Sequence, residues 1–287
     1  MNYSVLIENR KSLRAFTEKG ASESVLQEIK VFHDKSVHRL TPERRTELLL
    51  FGTEAREALE GAAGYKNFLV GAPQYMVLLG EGGKFSSVNA GFIMEDLILK
   101  AADLGLGSCW ITFTDSDKVK AALKIESPLE VAAIAAIGYE VKTAKRLRLN
   151  ILSMSNVDVV AERQYMEPKK RIKDMVFLDR WGNTEGMEEY IGFFDDMLWE
   201  ALHAASLSPS YLNRQAYGFV IHNNHITLIS QPDDYNTKLD GCLSMGAALL
   251  HYSAVAEKWM ANVAWKLGEG NGIALPEGYK AMTTSSL

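Results

Sequence analysis

Apolar positions along this chain follow two periods, and the switches between them outline its elements. Val25, Leu26, Ile29 and Phe32 fall three and four apart, which predicts a helix capped by Ser22 or Ser24. Tyr75-Met76-Val77-Leu78-Leu79 is a continuous apolar run announced by Gly71-Ala72-Pro73, and reads as a buried strand. Asn89 to Leu104 is apolar on most faces, which predicts a central helix ended by Gly105 and Gly107. Cys109-Trp110-Ile111 reads as a strand, Asp115 to Leu123 as a capped helix, and Glu130 to Tyr139 as a strand rich in alanine and isoleucine. Further on come a helix at 194–205, strands at 218–222 and 225–229 joined by Asn223-Asn224, a long apolar helix at 239–258 and a strand at 263–267. The Asn-Asn pair tolerates left-handed backbone and signals a hairpin.

Residues 3–9 read as a helix start or an arm. Thr41-Pro42-Glu43 reads as a helix start with Pro at its first position, followed by Leu48 to Phe51 and Ala55 to Leu59, with Gly61 and Gly64 as breakers. Thr283 to Leu287 reads as a frayed tail.

The order of elements repeats. Helix 89–104 running into strand 109–111 matches helix 239–258 running into strand 262–266, which points to an internal duplication. Between the halves, Val141 to Arg171 gathers Lys142, Lys145, Arg146, Arg148, Lys169, Lys170 and Arg171, and reads as a connector. The halves are expected at 1–172 and 173–287.

Composition narrows the class. The 287 residues are 47% hydrophobic and 23% charged, so a sizeable core is expected. A net charge of −5 argues against a nucleic-acid partner. No run approaches the ~20 apolar residues that span a bilayer, and the N-terminal apolar run is short for a signal peptide. A cytoplasmic protein is expected. The two cysteines, Cys109 and Cys242, form no Cys-x-x-Cys, and the six histidines show no metal spacing, so no metal is expected. Neither Gly105-Leu106-Gly107-Ser108 nor Gly80-Glu81-Gly82-Gly83 makes a dinucleotide-binding turn. Glu95 and Asp96 are adjacent on an apolar helix, where neighbours diverge, and read as structural.

Two polar clusters carry candidate chemistry. Arg10-Lys11-Ser12-Leu13-Arg14 puts three cations and a hydroxyl within five residues, which suits a dianionic phosphate or a solvated basic face. Ser208-Pro209-Ser210-x-x-Asn213-x-Gln215 offers hydroxyls and amides that suit the polar edge of a heterocycle, or simply cap a helix end. Lys169-Lys170-Arg171 is a second possible anion clamp.

Arg10-Lys11-Ser12-x-Arg14-x-Phe16 resembles the N-terminal signature of the nitroreductase family of flavin enzymes. Pro209-Ser210-x-x-Asn213-x-Gln215-x-Tyr217 resembles its second signature, and Pro168-Lys169-x-Arg171 its late basic pair. The resemblance implies an α+β fold, a three-layer α-β-α sandwich. It also implies FMN bound by Arg10, Lys11, Ser12, Arg14, Lys169, Arg171, Ser208, Pro209, Ser210, Asn213 and Gln215. Backbone over Trp110, Ile111, Thr112 and Phe113 would face the flavin, and Arg14 would be the catalytic charge beside the reduced ring. Family members are homodimers that build each flavin site from both subunits. Here the two signatures lie in different halves of one chain, which resembles the single-chain pseudo-dimer subgroup of thermophile type, functional as a monomer with one complete site. The implied activity is NADH- or NADPH-driven reduction of a nitroaromatic, quinone or similar small-molecule acceptor. A flavin-dependent dehydrogenase or oxidase of one metabolite, and a non-catalytic flavin sensor, are the alternatives.

Overall fold

The computed structural model describes the chain apart from residues 67, 142–145, 154–155, 163–167, 188, 191–195, 261–262, 269 and 271. Its first sheet comprises β1 (Thr46–Phe51), β2 (Gln74–Gly80), β3 (Gly107–Ile111) and β4 (Glu130–Gly138), in the order β1-β2-β4-β3 with every pair antiparallel. The pleat sends alternate side chains of β2 to opposite faces. Tyr75, Val77 and Leu79 share a core with Leu59 of α3 (Glu54–Leu59) and Val119 of α5 (Ser116–Leu123). Met76 and Leu78 share the other core with Ile29 of α2 (Glu23–Lys35) and Ile93, Met94 and Leu97 of α4 (Ser86–Asp103). This is the expected three-layer arrangement.

Residues 146–162 form a separate hairpin, β5 (Arg146–Ser153) and β6 (Asn156–Glu162). The second main sheet comprises β7 (Val176–Leu178), β8 (Tyr217–His222), β9 (His225–Ser230), β10 (Lys266–Leu267) and β11 (Lys280–Ser286), in the order β10-β11-β9-β8-β7. The run β8-β9-β11-β10 copies β1-β2-β4-β3 in order and direction. The duplication read from element order is therefore present in strand pairing. β7 adds a parallel edge strand next to β8 that the first sheet lacks.

One face of the second sheet packs on α1 (Tyr3–Asn9), α6 (Asp196–Ser206) and α7 (Lys238–Ala256). Its other face, Phe177, Val220 and Ile229, is covered by Trp181, Leu275 and Tyr279 from loops. The copied half has thus exchanged its outer helices for a tilted aromatic stack, with ring centroids 4.7 Å (Phe177–Trp181) and 5.0 Å (Trp181–Tyr279) apart.

The halves meet where α4 crosses α7. Gly91 of α4 lies against the Leu243 carbonyl of α7, and Gly246 of α7 lies against the Val88 carbonyl of α4. A Cβ on either glycine would run into the facing backbone, so this close crossing requires glycine at both positions.

Four expectations change. Leu48 to Phe51 do not continue a helix from Thr41 but lie in β1, registered against Leu78 to Tyr75. Arg44 N donates to the Thr41 carbonyl at 3.0 Å, so Thr41-Pro42-Glu43 makes a turn. Pairing with β2 and burial of Leu48 override the helix preference of leucine. The basic connector is the β5–β6 hairpin, although Lys142 and Lys145 lie outside the described residues. The supposed tail is β11, paired on both edges, with Thr283, Thr284 and Ser285 buried. The strand at 263–267 shortens to the two residues of β10. The hairpin at Asn223-Asn224 forms as read, both residues having positive φ (48° and 58°). The helix expected at 194–205 is α6, its first two positions lying outside the described residues.

A buried ion cluster also joins the halves. His38 meets Asp96 of α4 through Nδ1 and Glu257, just past α7, through Nε2, both at 3.1 Å. Tyr3 and Ser36 donate to the same Asp96 carboxylate. Burial alone would lower the His38 pKa, but the two carboxylates outweigh it and push it up to about 10. A raised pKa stabilises the fold fully below the unfolded value of ~6.5, and that stability is lost as pH rises toward 10. Urea midpoints should accordingly fall across that window, and His38→Gln should flatten the fall. An unchanged slope in the variant would assign it to other groups.

Candidate active site

α1 ends at Arg10, whose backbone turns extended (φ −64°, ψ 129°) and releases the chain alongside the first sheet. Ser12 bridges Ser108 in parallel, Leu13 N donates to the Ser108 carbonyl at 2.7 Å, and Phe16 bridges Glu140. Leu13 packs where a Cβ on Gly107 would sit. The N-terminal cluster is therefore an extended segment laid against β3 and the end of β4. It directs its cations differently. Lys11 donates to both Glu140 oxygens, at 2.7 and 2.9 Å, on the surface. Arg14 is exposed and meets no hydrogen-bond or ion-pair partner among the described residues. Arg10 is buried, its side chain 7% exposed, and Nε has no hydrogen-bond partner. Its nearest anion is Glu95 Oε1, at 3.6 Å.

Glu95 is fully buried on α4. Its Oε2 accepts from Trp110 Nε1 at 2.9 Å, and its Oε1 lies 2.9 Å from His251 Nε2 of α7. His251 is equally buried, and its Nδ1 faces the Ala204 carbonyl near the end of α6 at 3.1 Å. The two adjacent carboxylates of α4 do diverge, Glu95 toward Arg10 and His251, Asp96 toward His38 and Tyr3. Through Glu95 and His251, the Arg10 segment of the first half is joined to α6, the helix that leads into the second cluster.

That second cluster, Ser208 to Gln215, is wound tightly. Leu212, Asn213 and Gln215 all have positive φ (49°, 55° and 43°). Left-handed backbone at non-glycine residues costs roughly 1–3 kcal/mol each and persists only where surroundings impose it. Here the preceding basic segment imposes it. Lys169 Nζ donates to the Ser208 carbonyl at 2.9 Å and to Asn213 Oδ1 at 2.7 Å, while Asn213 Nδ2 donates to the Pro168 carbonyl. Lys170 N donates to Gln215 Oε1, Lys170 Nζ to the Gln215 carbonyl, and Gln215 Nε2 to the Ser206 carbonyl. Burial lowers the Lys170 pKa, with Arg214 nearby adding to the effect. The amides expected to face a heterocycle are thus spent on building the loop, and Gln215 is wholly buried. Ser210 Oγ accepts from Gln215 N, Ser208 pairs with the Tyr217 hydroxyl, and Pro209 is buried. Arg171 turns away, 69% exposed, to pair with Asp174.

A further junction joins the halves at the end of β3. Thr112 Oγ1 donates to Asp240 Oδ1 of α7 at 2.8 Å. Burial raises the Asp240 pKa, while hydrogen bonds from Thr237 and Thr112 oppose that rise. Tyr211 N donates to Ser244 Oγ, one turn further along α7. The Thr112 carbonyl accepts from Gly64 N at 2.8 Å, and the Tyr65 ring then meets Tyr211 edge-on with centroids 6.1 Å apart. Ile111 and Phe113 are buried, while Trp110 and Thr112 are half-buried.

The structure therefore brings the Arg10 segment, the end of β3 and the 208–217 loop around one seam between the halves. It leaves Lys11 and Arg171 on surface carboxylates. Sequence reasoning missed His251 and Asp240, and read Lys170 as part of an anion clamp where it binds Gln215 instead. Nothing in their spacing marks them, because each acts on a residue of a distant element. Glu95 was noticed and set aside, and only the packing of α7 gives it partners.

A family model described as "Putative TM nitroreductase" matches residues 3–180. Among curated proteins, no relative matches the sequence. Among solved structures, a Thermotoga maritima protein named as a putative nitroreductase has 18% identity and a TM-score of 0.60, covering 100% of this chain and 94% of its own. A Clostridium difficile protein named as an FMN-dependent nitroreductase has 22% identity and a TM-score of 0.42, covering 47% of this chain and 86% of its own. The first of these shares its fold over the whole of this chain. Because the matched family domain runs from α1 through the first sheet to the β7 arm, the chain belongs to this nitroreductase family and is an oxidoreductase.

Proposed function

We propose that the seam between the halves holds FMN and that the protein is an NAD(P)H-driven flavin oxidoreductase acting on nitroaromatic, quinone or similar small acceptors in the cytoplasm. The carrying observation is the Arg10 guanidinium, buried beside an extended segment with Nε unpartnered. A buried cation without a full complement of acceptors is costly, and a phosphate dianion supplies the acceptors that the protein withholds. The Ser12 hydroxyl and the Arg14 guanidinium lie on the same segment and meet no side-chain partner among the described residues. The residues present thus fit a phosphorylated, polar cofactor. Lys11 and Arg171 are engaged in surface ion pairs that solvent screens, so turning them to a phosphate costs little.

In this reading Arg10, Ser12 and Lys169 hold the phosphate end, and Arg14 sits beside the ring as the catalytic charge. Backbone from Trp110 to Phe113 borders the ring, and the loop Ser208, Pro209, Ser210, Asn213 and Gln215 closes it from the second half. FMN, when bound, supplies the hydride chemistry, and the chain supplies position and electrostatics. Arg14, exposed and uncommitted, lowers the energy of negative charge gathering near it. The Tyr65–Tyr211 ring pair borders the seam on the side of Thr112.

The halves, 1–172 and 173–287, act in this reading as the two subunits of a dimer folded into one chain. Neither signature recurs in the other half, so the symmetry-related place lacks both and a monomer is expected to carry one flavin. Purified protein should be yellow, with absorbance near ~450 nm, one flavin per chain, and bleaching by NADH or NADPH without oxygen. Colourless protein that takes up no added FMN would sink the reading; two flavins per chain would refute the single site. Flavin that no nicotinamide bleaches would point to a sensor instead.

A further inference from the structure

Glu95 and His251 lie outside both signatures, and neither has surface exposure. Their hydrogen bonds define a protonation state. Both His251 nitrogens face oxygen acceptors, the Ala204 carbonyl and Glu95 Oε1. Glu95 in turn receives the Trp110 N–H on Oε2 and has Arg10 at 3.6 Å from Oε1. The Trp110 N–H bonded to Oε2 and the Arg10 positive charge 3.6 Å from Oε1 both favour the carboxylate over the acid, so the proton on Nε2 belongs to histidine.

We infer that His251 is an imidazolium paired with the Glu95 carboxylate, and that this pair is the positioning device for Arg10. The argument is one of charge. With His251 neutral, Glu95 would be a bare buried anion whose nearest cation is Arg10, and it would draw that guanidinium into a closed pair. With His251 charged, Glu95 is already satisfied. Arg10 is held at 3.6 Å, too long for a hydrogen bond, and its charge stays available to an incoming dianion. The unpartnered Arg10 Nε is the visible result. Because His251 sits on α7 and Arg10 follows α1, the second half sets the anion affinity of the first.

The other groups facing this site keep fixed charges. Burial raises the Cys109 thiol, and burial pushes the Tyr217 hydroxyl up to about 12, so both stay neutral near pH 7. Arg14 is a further neighbouring cation, sensed at Cys109.

The inference rests on the reading of Arg10 as the phosphate ligand, and its test separates the two. In protein labelled with nitrogen-15 at histidine, both His251 nitrogens should carry protons at pH 7.5, with or without FMN. A bare Nε2 overturns the inference whatever the protein binds. FMN affinity, followed by quenching of flavin fluorescence, should fall tenfold or more in His251→Gln, where Glu95 captures Arg10. The double variant Glu95→Gln/His251→Gln removes the capturing charge and should recover to within about threefold of wild type. Purely structural roles predict the reverse, a double variant no better than the single one, and that result also overturns the inference. Circular dichroism checks that each variant folds. Wild-type protein that binds no FMN ends the cofactor reading, and the imidazole signals then decide the ion pair alone.

Discussion

Gly246→Val should cost about 3 kcal/mol or more, enough to unfold a large share of the protein, because overpacking a rigid contact typically costs 1–3 kcal/mol and backbone cannot give way as a side chain can. Gly246 sits at the α4–α7 crossing, where an added Cβ meets the Val88 carbonyl, Phe92 N and Gly91. The helices would have to part, and with them the seam that carries Glu95 and His251. Urea denaturation reads the loss directly. Gly241, near the start of the same helix, is the control. A Cβ there meets only Asn236 Cβ at 4.0 Å, so Gly241→Ala should be neutral or stabilising by about 0.5–1 kcal/mol. Equal effects at the two glycines would mean that the crossing is looser than described.

Arg10→Met should separate binding from folding. Charge-assisted hydrogen bonds contribute roughly 1.5–3 kcal/mol each, so losing two of them predicts at least a hundredfold loss of FMN affinity. Stability of the flavin-free protein should stay level or rise, since the change removes a buried cation with an unpartnered Nε and keeps the packing volume. Glu95 remains balanced by His251 and Trp110. Flavin content and urea midpoint, measured on one preparation, should therefore move independently. A variant that loses both together would make Arg10 a structural cation and remove the main support for the site.

The legible parts of this chain were those set by local pattern. Helix α4 was read because glycines end it and apolar residues fill most of its faces. β2 and β4 were read because strands buried on both faces need continuous apolar runs. The Asn223-Asn224 turn was read because few residues tolerate positive φ twice in succession. Pattern misled at Thr41-Pro42-Glu43, a helix start in isolation, where residues 46–51 are claimed by pairing with β2. It misled at Thr283 as well, where a polar terminal run is buried because β9 and β10 flank it and satisfy its backbone.

The chemistry divides in the same way. The Arg10 segment and the 208–217 loop are visible from residue type, since each gathers cations or amides within a few positions. Their assignments inside the site are not. Asn213 and Gln215 are drawn inward by Lys169 and Lys170, and Lys11 is drawn outward by Glu140. By itself the sequence determined the repeat and the two clusters, because these follow from periodicity and short motifs, and the family fold through the resemblance those motifs carry. The tertiary structure alone decided that Arg10 lies buried 3.6 Å from Glu95 with Nε unbonded. That depends on Glu95 and His251 meeting across two glycines at a helix crossing, a contact between residues 156 positions apart that no local pattern encodes.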